Sequence, residues 1–520
     1  MTTDQRDVIA FLSTPSAYGR QDAIERIDTH ISIVWLVGER VFKLKRAVRY
    51  DYVDYSTVER RRWACEAEVR LNRRTAPAIY LGVRPVTLEA DGQLALGGKG
   101  TPVDWLVEMA RFDQQTLFDR LAEQHRLEIG LMEGLADAIA SLHARAEPRF
   151  DRGGRDGMAW VIDGNARGFA EQGVSILDLD ACTRLTADAR SELARQGTRL
   201  DDRRRRGLVR ECHGDLHLRN ICLVDGVPTL FDAIEFNDDI SCIDVVYDLA
   251  FLLMDLWRRG LPLHANLVFN EYMTQTGDFE SLSLLPLFLS CRAAVRAKTS
   301  ATAASIQPDE QQQRLAGAAA GEYLSLAGNL LRARTPCLVA VGGFSGSGKS
   351  TLARAVAPIL GHAPGALILR SDVIRKMHLG VDPMTRLDAD AYAGDISARV
   401  YRILADRARA ALEAGHAVIA DAVHARAADR LAIETVARQL EVPFVGLWID
   451  GPESLLRSRL RGRARDASDA TDEVLELQVR SGTGPLAWHR LDGSESPDQV
   501  RQAAAAVLAG SAVASSVTAL

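Results

Sequence analysis

Gly343-Phe344-Ser345-Gly346-Ser347-Gly348-Lys349-Ser350-Thr351 fits the pattern G-x-x-x-x-G-K-[ST]. Glycines in such a run let backbone N–H groups approach a phosphate chain closely. Lys349 adds a point charge at the β- and γ-phosphates of a nucleotide, and the Ser350 hydroxyl suits Mg²⁺. Ahead of the run, Leu338-Val339-Ala340-Val341 reads as a short buried strand. Behind it, Lys349 to Leu360 reads as a helix with Leu352, Val356 and Ile359 on one face. The bland alternative is a glycine-rich turn without a ligand, and the strand–loop–helix context speaks against it.

Downstream, strand-like and helical stretches alternate. Ala366-Leu367-Ile368-Leu369, Ala417-Val418-Ile419-Ala420 and Phe444-Val445-Gly446-Leu447-Trp448-Ile449 read as strands with helices between them. The alternation predicts a parallel sheet flanked by helices, with ligands at the strand C-termini. Asp372 and Arg375 follow one of these strands and Asp421 ends the next. Arg457, Arg459 and Arg463 ride on a helix that leads into 462–471, a polar stretch suited to a mobile lid. Arg459 and Arg463 lie one helical turn apart, so both can face the same phosphates. Arg334-Thr335-Pro336 marks the domain boundary, and a cut near Thr335 is predicted to give two folded pieces. The alanine- and serine-rich tail, 503–520, is predicted to fray.

Upstream, residues 1–20 read as a helical lead-in. Ile31 to Val37 and Val41 to Lys45 read as a hairpin about Gly38-Glu39-Arg40. A charged helix follows from Thr57 to Arg74, carrying Glu66 and Glu68. Residues 77–86 and 94–109 are strand-like, and 126–146 is an amphipathic helix whose apolar face is core. Arg203-Arg204-Arg205-Arg206, behind Asp201-Asp202, reads as a solvated helix end. The chemistry of this part lies in His213-Gly214-Asp215-Leu216-His217-Leu218-Arg219-Asn220 and in Phe231-Asp232-Ala233-Ile234-Glu235. Phosphoryl transfer needs an acid group to orient and deprotonate the acceptor hydroxyl, and oxygen ligands for Mg²⁺ on the ATP phosphates. Asp215 suits the first role, and Asn220 and Asp232 the second. His143 and His217 lack metal-like partner spacing and read as packing or loop residues. Residues 261–334 read as alanine-rich helices.

The bulk properties bound the rest. The chain has 520 residues, 47% hydrophobic and 25% charged, with net charge −6. This charge balance argues against a nucleic-acid footprint. No apolar run is long enough to cross a bilayer, and no signal peptide is visible. Seven scattered cysteines without a C-x-x-C pair fit reduced core residues of a cytoplasmic protein.

The 213–220 loop resembles the catalytic loop of protein kinases, H-R-D-x-x-x-x-N, with Asp232 in the D-F-G position. In its H-G-D-x-H-x-x-N form it is similar to the aminoglycoside-phosphotransferase and choline-kinase branch of that fold. The resemblance implies a strand lysine on the ATP phosphates, held by a helix glutamate. Lys45 and Glu68 fill these roles, with Lys43 and Glu66 as alternatives, because both lysines share one face of the strand. It further implies a hinge at Glu108-Met109, a brace from Asp248 to the catalytic loop, and a larger lobe completed by the helices of 261–334, which would form the acceptor pocket. The chain departs from the kinase pattern where a G-x-G-x-x-G loop would lie, because Thr29-His30 stands there.

The last third resembles the gluconate-kinase, polynucleotide-kinase and zeta-toxin group of P-loop kinases. In its D-x-x-R signature Asp372 would be the base and Arg375 a substrate or phosphate contact. Asp421 would hold Mg²⁺ or its water shell, and the two aspartates could exchange roles. Arg459 and Arg463 would face the nucleotide. The expected architecture is therefore an α+β, protein-kinase-like bilobal domain over 1–334, then an α/β P-loop kinase with a parallel sheet over 335–502. The expected function is transfer of the ATP γ-phosphoryl to small-molecule hydroxyls at two sites, with ATP and Mg²⁺. Two other readings stay open: a nucleotide-gated regulator with one sensing site, and an enzyme acting on a sugar nucleotide or a nucleic-acid end. Neither acceptor is written in the sequence, nor is the oligomeric state, because function lives in the site and not in the fold.

Overall fold

A computed structural model describes residues 4–50, 52–172, 176–307, 309–332, 334–382, 384–462 and 468–517. By compactness the chain forms two units, Met1–Asp255 with Lys298–Gly317, and Leu256–Ala297 with Ala318–Leu520. Among the described residues no helix is long and apolar enough to cross a membrane. All seven cysteines are buried and free.

The first unit starts with an antiparallel sheet in the order Glu25–Asp28, Ser32–Val37, Arg40–Lys45, Thr101–Ala110, Tyr80–Leu88, Leu94–Leu96. Period-2 alternation turns Ile33, Trp35, Leu44 and Leu106 inward against Leu12 of the lead-in helix Arg6–Leu12. Gly38, at φ 57°, closes the tight turn between the second and third strands. The segment 94–109 is two strands, because Gly97, Gly98 and Gly100 interrupt the pairing. The helix Val58–Asn72 begins at Thr57, whose Oγ1 caps the Arg60 N–H. It packs on the strand Thr101–Ala110 and buries Cys65 and Glu68.

Further along, the hairpin Ile221–Val224 with Val227–Leu230 pairs Ile221 with Leu230. That register brings Asn220 and Phe231 side by side, and the Phe231 N–H donates to the Asn220 carbonyl (3.0 Å). The two ends of one hairpin thus carry Asn220 and Asp232. The arginine run at 203–206 is the helix end that the sequence predicts, with Arg205 and Arg206 exposed, but Arg203 departs from a solvated reading. Arg203 is buried and forks onto Asp244, with Nε to Oδ2 at 2.6 Å and Nη2 to Oδ1 at 3.0 Å. A buried fork of this kind fixes the end of the helix Leu179–Arg205 against the strand Cys242–Asp244.

The second unit contains a five-stranded parallel sheet in the order Leu367–Arg370, Val418–Asp421, Leu338–Gly343, Phe444–Asp450, His489–Asp492. Register places Arg370 and Val341 either side of Asp421, at the C-terminal edge from which the phosphate loop departs. The fifth strand is too short and too polar to stand out in the sequence. The tail expected to fray is packed as far as Val517. The helix Pro497–Ala509 starts with a Ser496/Gln499 capping box and buries Val500, Ala504 and Leu508. Beyond it, the Gly361 N–H donates to the Ser516 carbonyl (2.7 Å).

Helix Pro262–Thr276 lies on the outer edge of this sheet. Asn270 Oδ1 accepts the Ile368 N–H (2.7 Å), and its Nδ2 donates to the Ala366 carbonyl (3.2 Å). Asn266 Nδ2 donates to the carbonyls of Pro364 (3.0 Å) and Ala366 (3.1 Å). These two amides satisfy backbone groups that an edge strand would otherwise leave open. A chain beginning at Thr335 loses both partners. Asn270→Ala in the full chain is expected to cost about 1–3 kcal/mol, because the Ile368 N–H is left unpaired. The fragment from Thr335 should melt below the sheet of the full chain. Urea melts of the three proteins check both results, and equal midpoints would refute the edge-sealing role.

Candidate active sites

In the first unit the sheet and the 232–235 segment meet around two lysines. Lys43 Nζ lies 2.9 Å from Glu68 Oε1 and 2.6 Å from Asp232 Oδ1. Lys45, on the same strand face, pairs with Glu68 Oε2 and Glu235 Oε1, and Tyr55 OH donates to Glu235 Oε1 (2.5 Å). Glu68 is thus shared by both lysines, whereas Glu66 lies on the surface with Arg62. Lys43, not Lys45, meets Asp232. The side chain of Asp232 is 45% exposed, while that of Lys45 is 2% exposed. Burial works to raise the Asp232 carboxyl, but the Lys43 ammonium outweighs it and holds the group below the usual carboxylate range. Burial of Glu235, only partly offset by Lys45, pushes that carboxyl up.

The loop itself is held from behind. Asp248, fully buried, accepts the His213 N–H on Oδ2 (3.0 Å) and the Gly214 N–H on Oδ1 (2.9 Å). This is the brace the sequence suggested. Gly214 has φ 84°, and a Cβ there would lie 3.3 Å from the Ile240 carbonyl. Asn220 Nδ2 donates to Asp215 Oδ2 (3.0 Å) and to the Asp215 carbonyl (2.9 Å). His217 Nε2 lies 3.3 Å from Asp215 Oδ2, and His143 Nε2 3.2 Å from Asp248 Oδ2. Both histidines therefore serve the loop. His143, Cys212 and Asp248 come within metal-ligand reach of one another, but both Asp248 oxygens already hold the loop backbone. Glu108 takes a bond from Arg84 Nε (2.6 Å) near the end of its strand. At the first hairpin turn Thr29 Oγ1 accepts the Ser32 N–H (2.9 Å), so a threonine staple stands where glycines were absent. Asn220 and Asp232 each carry a hard oxygen donor of the kind Mg²⁺ takes.

In the second unit Gly343, Gly346 and Gly348 have φ of 146°, 83° and 96°. A Cβ on Gly346 would lie 2.6 Å from the Leu456 carbonyl, so the loop closes only with glycine there. The helix Lys349–Val356 starts directly at its end, so its first backbone N–H groups face the loop. Lys349 Nζ donates to the Phe344 carbonyl (3.1 Å), and Ser350 Oγ donates to Asp421 Oδ2 (2.6 Å). Burial raises the Asp421 carboxyl, and Arg370 and Lys349 offset this only in part. Ser350 and Asp421 thus place two hard oxygen donors side by side.

A cleft of about 1010 Å³ opens from the loop, and Asp372, Arg375 and Arg459 line it. Asp372 and Arg375 sit on the helix Ser371–His378, one turn apart. Arg375 is nearly buried. Its Nη1 donates to the Ala391 carbonyl (2.8 Å), and its guanidinium lies 4.5 Å from the Tyr392 ring centroid. Arg463 lies outside the described residues. Of the proposed lid, Asp469 is well placed: it accepts from Lys376 Nζ (3.1 Å), the Leu387 N–H (3.1 Å) and Tyr392 OH (3.1 Å). Sequence reasoning missed Asp469, Lys376 and Glu235. Glu235 had a signal, an acid three residues beyond Asp232, whereas the other two had none.

Residues 338–485 match the AAA domain family. The chain is 30% identical to the uncharacterized protein Rv2004c of Mycobacterium tuberculosis over 473 residues, 89% of this chain and 91% of that one. A gluconokinase from Sinorhizobium meliloti superposes with TM-score 0.25 at 22% identity, covering 34% of this chain and 94% of its own. A choline/ethanolamine kinase family protein from Mesorhizobium loti superposes with TM-score 0.36 at 13% identity, covering 62% of this chain and 98% of its own.

Proposed function

The chain belongs to the family of the mycobacterial protein that it matches over nearly its whole length, and on that premise we propose that it is an ATP-dependent phosphotransferase with two sites, each passing the γ-phosphoryl of ATP to a small-molecule hydroxyl. What carries the reading is that each half has its own lysine beside its own acid and metal-type oxygens. Lys43 stands with Glu68 and Asp232, and Lys349 with Ser350 and Asp421.

At the first site Lys43 takes the α/β-phosphates and Glu68 holds it there. This assigns to Lys43 the role first given to Lys45, which instead ties Glu235 to the sheet. Asp215 accepts the acceptor's hydroxyl proton. The freed oxygen forms a bond to the γ-phosphorus as the bond to the β,γ-bridging oxygen breaks, and ADP leaves with that electron pair. Asn220 and Asp232 would hold Mg²⁺. At the second site the backbone N–H groups of Gly343 to Thr351 cradle the phosphates and Lys349 reaches the β/γ end. Asp372 takes the acceptor proton, Arg375 and Arg459 face the transferring group, and Ser350 and Asp421 would hold Mg²⁺. The ion, when bound with ATP, neutralises charge on the β- and γ-oxygens. We keep the functional division at 1–334 and 335–502, with the last helix completing the second domain.

ATP turnover against a metabolite library, run on the wild type, Lys43→Ala, Lys45→Ala and Lys349→Ala, tests the reading. Lys43→Ala should silence one set of acceptors and Lys349→Ala the other. Lys45→Ala should act mainly on stability, by about 3–5 kcal/mol, because it leaves buried Glu235 without its cation, while Glu68 keeps Lys43. A library in which no acceptor gains phosphate, with ATP bound at both sites, would refute phosphotransfer.

A further inference from the structure

The helix Asp472–Ser481 carries a polar side chain that the reading above leaves without a role. The Ser345 N–H donates to Gln478 Oε1 (2.9 Å), and Gln478 Nε2 donates to Ser345 Oγ (3.1 Å). A carboxamide from a distant helix is therefore docked on the phosphate loop by two bonds. Its helix is fixed independently of that contact. Thr471 caps it, Leu475 is fully buried, and Asp472 pairs with Arg461 (2.6 Å).

The place of this contact along a bound phosphate chain follows from Lys349. In this loop type the lysine serves the β- and γ-phosphates. Lys349 Nζ bonds the carbonyl of Phe344, the residue next to Ser345. Ser345 and Gln478 thus lie at the β/γ end of the cradle, away from the loop's junction with its helix. Val474, Leu477, Gln478 and Ser481 face the cleft at helical spacing, so the carboxamide is the strongest donor that this wall offers.

We propose that Gln478 reads the terminal phosphate of ATP: with Oε1 held on the Ser345 N–H, its Nε2–H donates to a γ-phosphate oxygen, and the second site thereby prefers a triphosphate over a diphosphate. This rests on the phosphate-binding role proposed for that loop. A neutral donor suits the task. It adds a bond to a charged oxygen that only the triphosphate presents, and it brings no net charge that would favour ADP as well.

The test uses the full chain in a Lys43→Ala background, so that binding reports the second site. Calorimetry with Mg²⁺ measures Kd for AMPPNP and for ADP. Gln478→Ala should weaken AMPPNP by about 10- to 100-fold, the worth of one hydrogen bond to a charged group, and leave ADP within about twofold. Gln478→Asn, which keeps the amide but withdraws it by one methylene, should lose the same preference. An unchanged AMPPNP/ADP ratio in both variants would overturn the proposal. So would equal tightening of both ligands, since Gln478 would then be a plug that competes with phosphate. If the background protein binds neither nucleotide, and Lys349→Ala changes nothing, the phosphotransfer reading of this half fails along with this one.

Discussion

Asp215→Asn is expected to abolish phosphorylation of one acceptor and to leave the other intact, and Asp372→Asn to do the reverse. Asparagine keeps the size of the side chain and an oxygen for the Asn220 amide, which now lies 3.0 Å from Asp215 Oδ2. It cannot accept the acceptor's proton. Loss of a general base costs about 10²–10⁴ in rate, or about 3–5 kcal/mol of barrier. The loop should stay in place, because its brace is Asp248 and not Asp215. Lys349→Ala should follow Asp372→Asn, since it strips the same phosphate cradle. Asp421→Asn should separate from both. It removes the charge beside Ser350 and should weaken nucleotide binding along with turnover. Acceptor-resolved phosphorus NMR gives the readout. If Asp215→Asn left every phosphorylation unchanged while Lys349→Ala removed all of them, the first half would be a nucleotide sensor. Equal loss of both products from either variant would indicate one composite reaction.

What was legible in the sequence was whatever lies close along the chain. The phosphate loop is contiguous, and Asp215, Asn220 and Asp232 sit on one loop and one hairpin, so their spacing already put them close together. The choice between Lys43 and Lys45 was not legible. Strand alternation turns both to one face, and only the depth of their acidic partners separates them, Asp232 for one and Glu235 for the other. The partners that decide the site are far apart in sequence. Lys45 and Glu235 are separated by 190 positions, Lys376 and Asp469 by 93, and Ser345 and Gln478 by 133. No local period records such pairs. The tail misled for a different reason. Its alanine-rich composition looks weakly stabilising, yet Ala504 and Leu508 recur at helical spacing and find a core already built by the sheet.

The parallel-sheet unit is expected to lose about 4 kcal/mol of stability between pH 8 and pH 5, through two histidines that burial keeps neutral. His416 is buried with Nε2 3.0 Å from the Gly365 carbonyl, and its ring lies 5.2 Å from that of Phe269. His424, fully buried, packs between Tyr401 at 5.6 Å and Trp488 at 5.2 Å. Burial pulls the pKa of each down to about 3. In the unfolded chain the same groups titrate near about 6.5. Above that value neither state binds a proton and the full stability is present. Between about 6.5 and 3 the unfolded chain takes up protons that the folded unit cannot, so stability falls as pH falls. Each histidine contributes about 1.4 kcal/mol per pH unit over that window, and one and a half units for two groups give the total. Asp421 opposes this slightly, because burial raises its carboxyl and the folded state gains from its protonation as pH drops. Hydrogen exchange of the strands Leu338–Gly343 and Val418–Asp421, followed from pH 8 to pH 5 after correction for the intrinsic rate, measures the slope. His424→Phe should roughly halve that slope whatever it does to the absolute stability, since one titrating group is gone. A sheet whose opening free energy stays level across the window would mean that these histidines gain a proton-accepting partner on acidification, and the neutral-core assignment would fall.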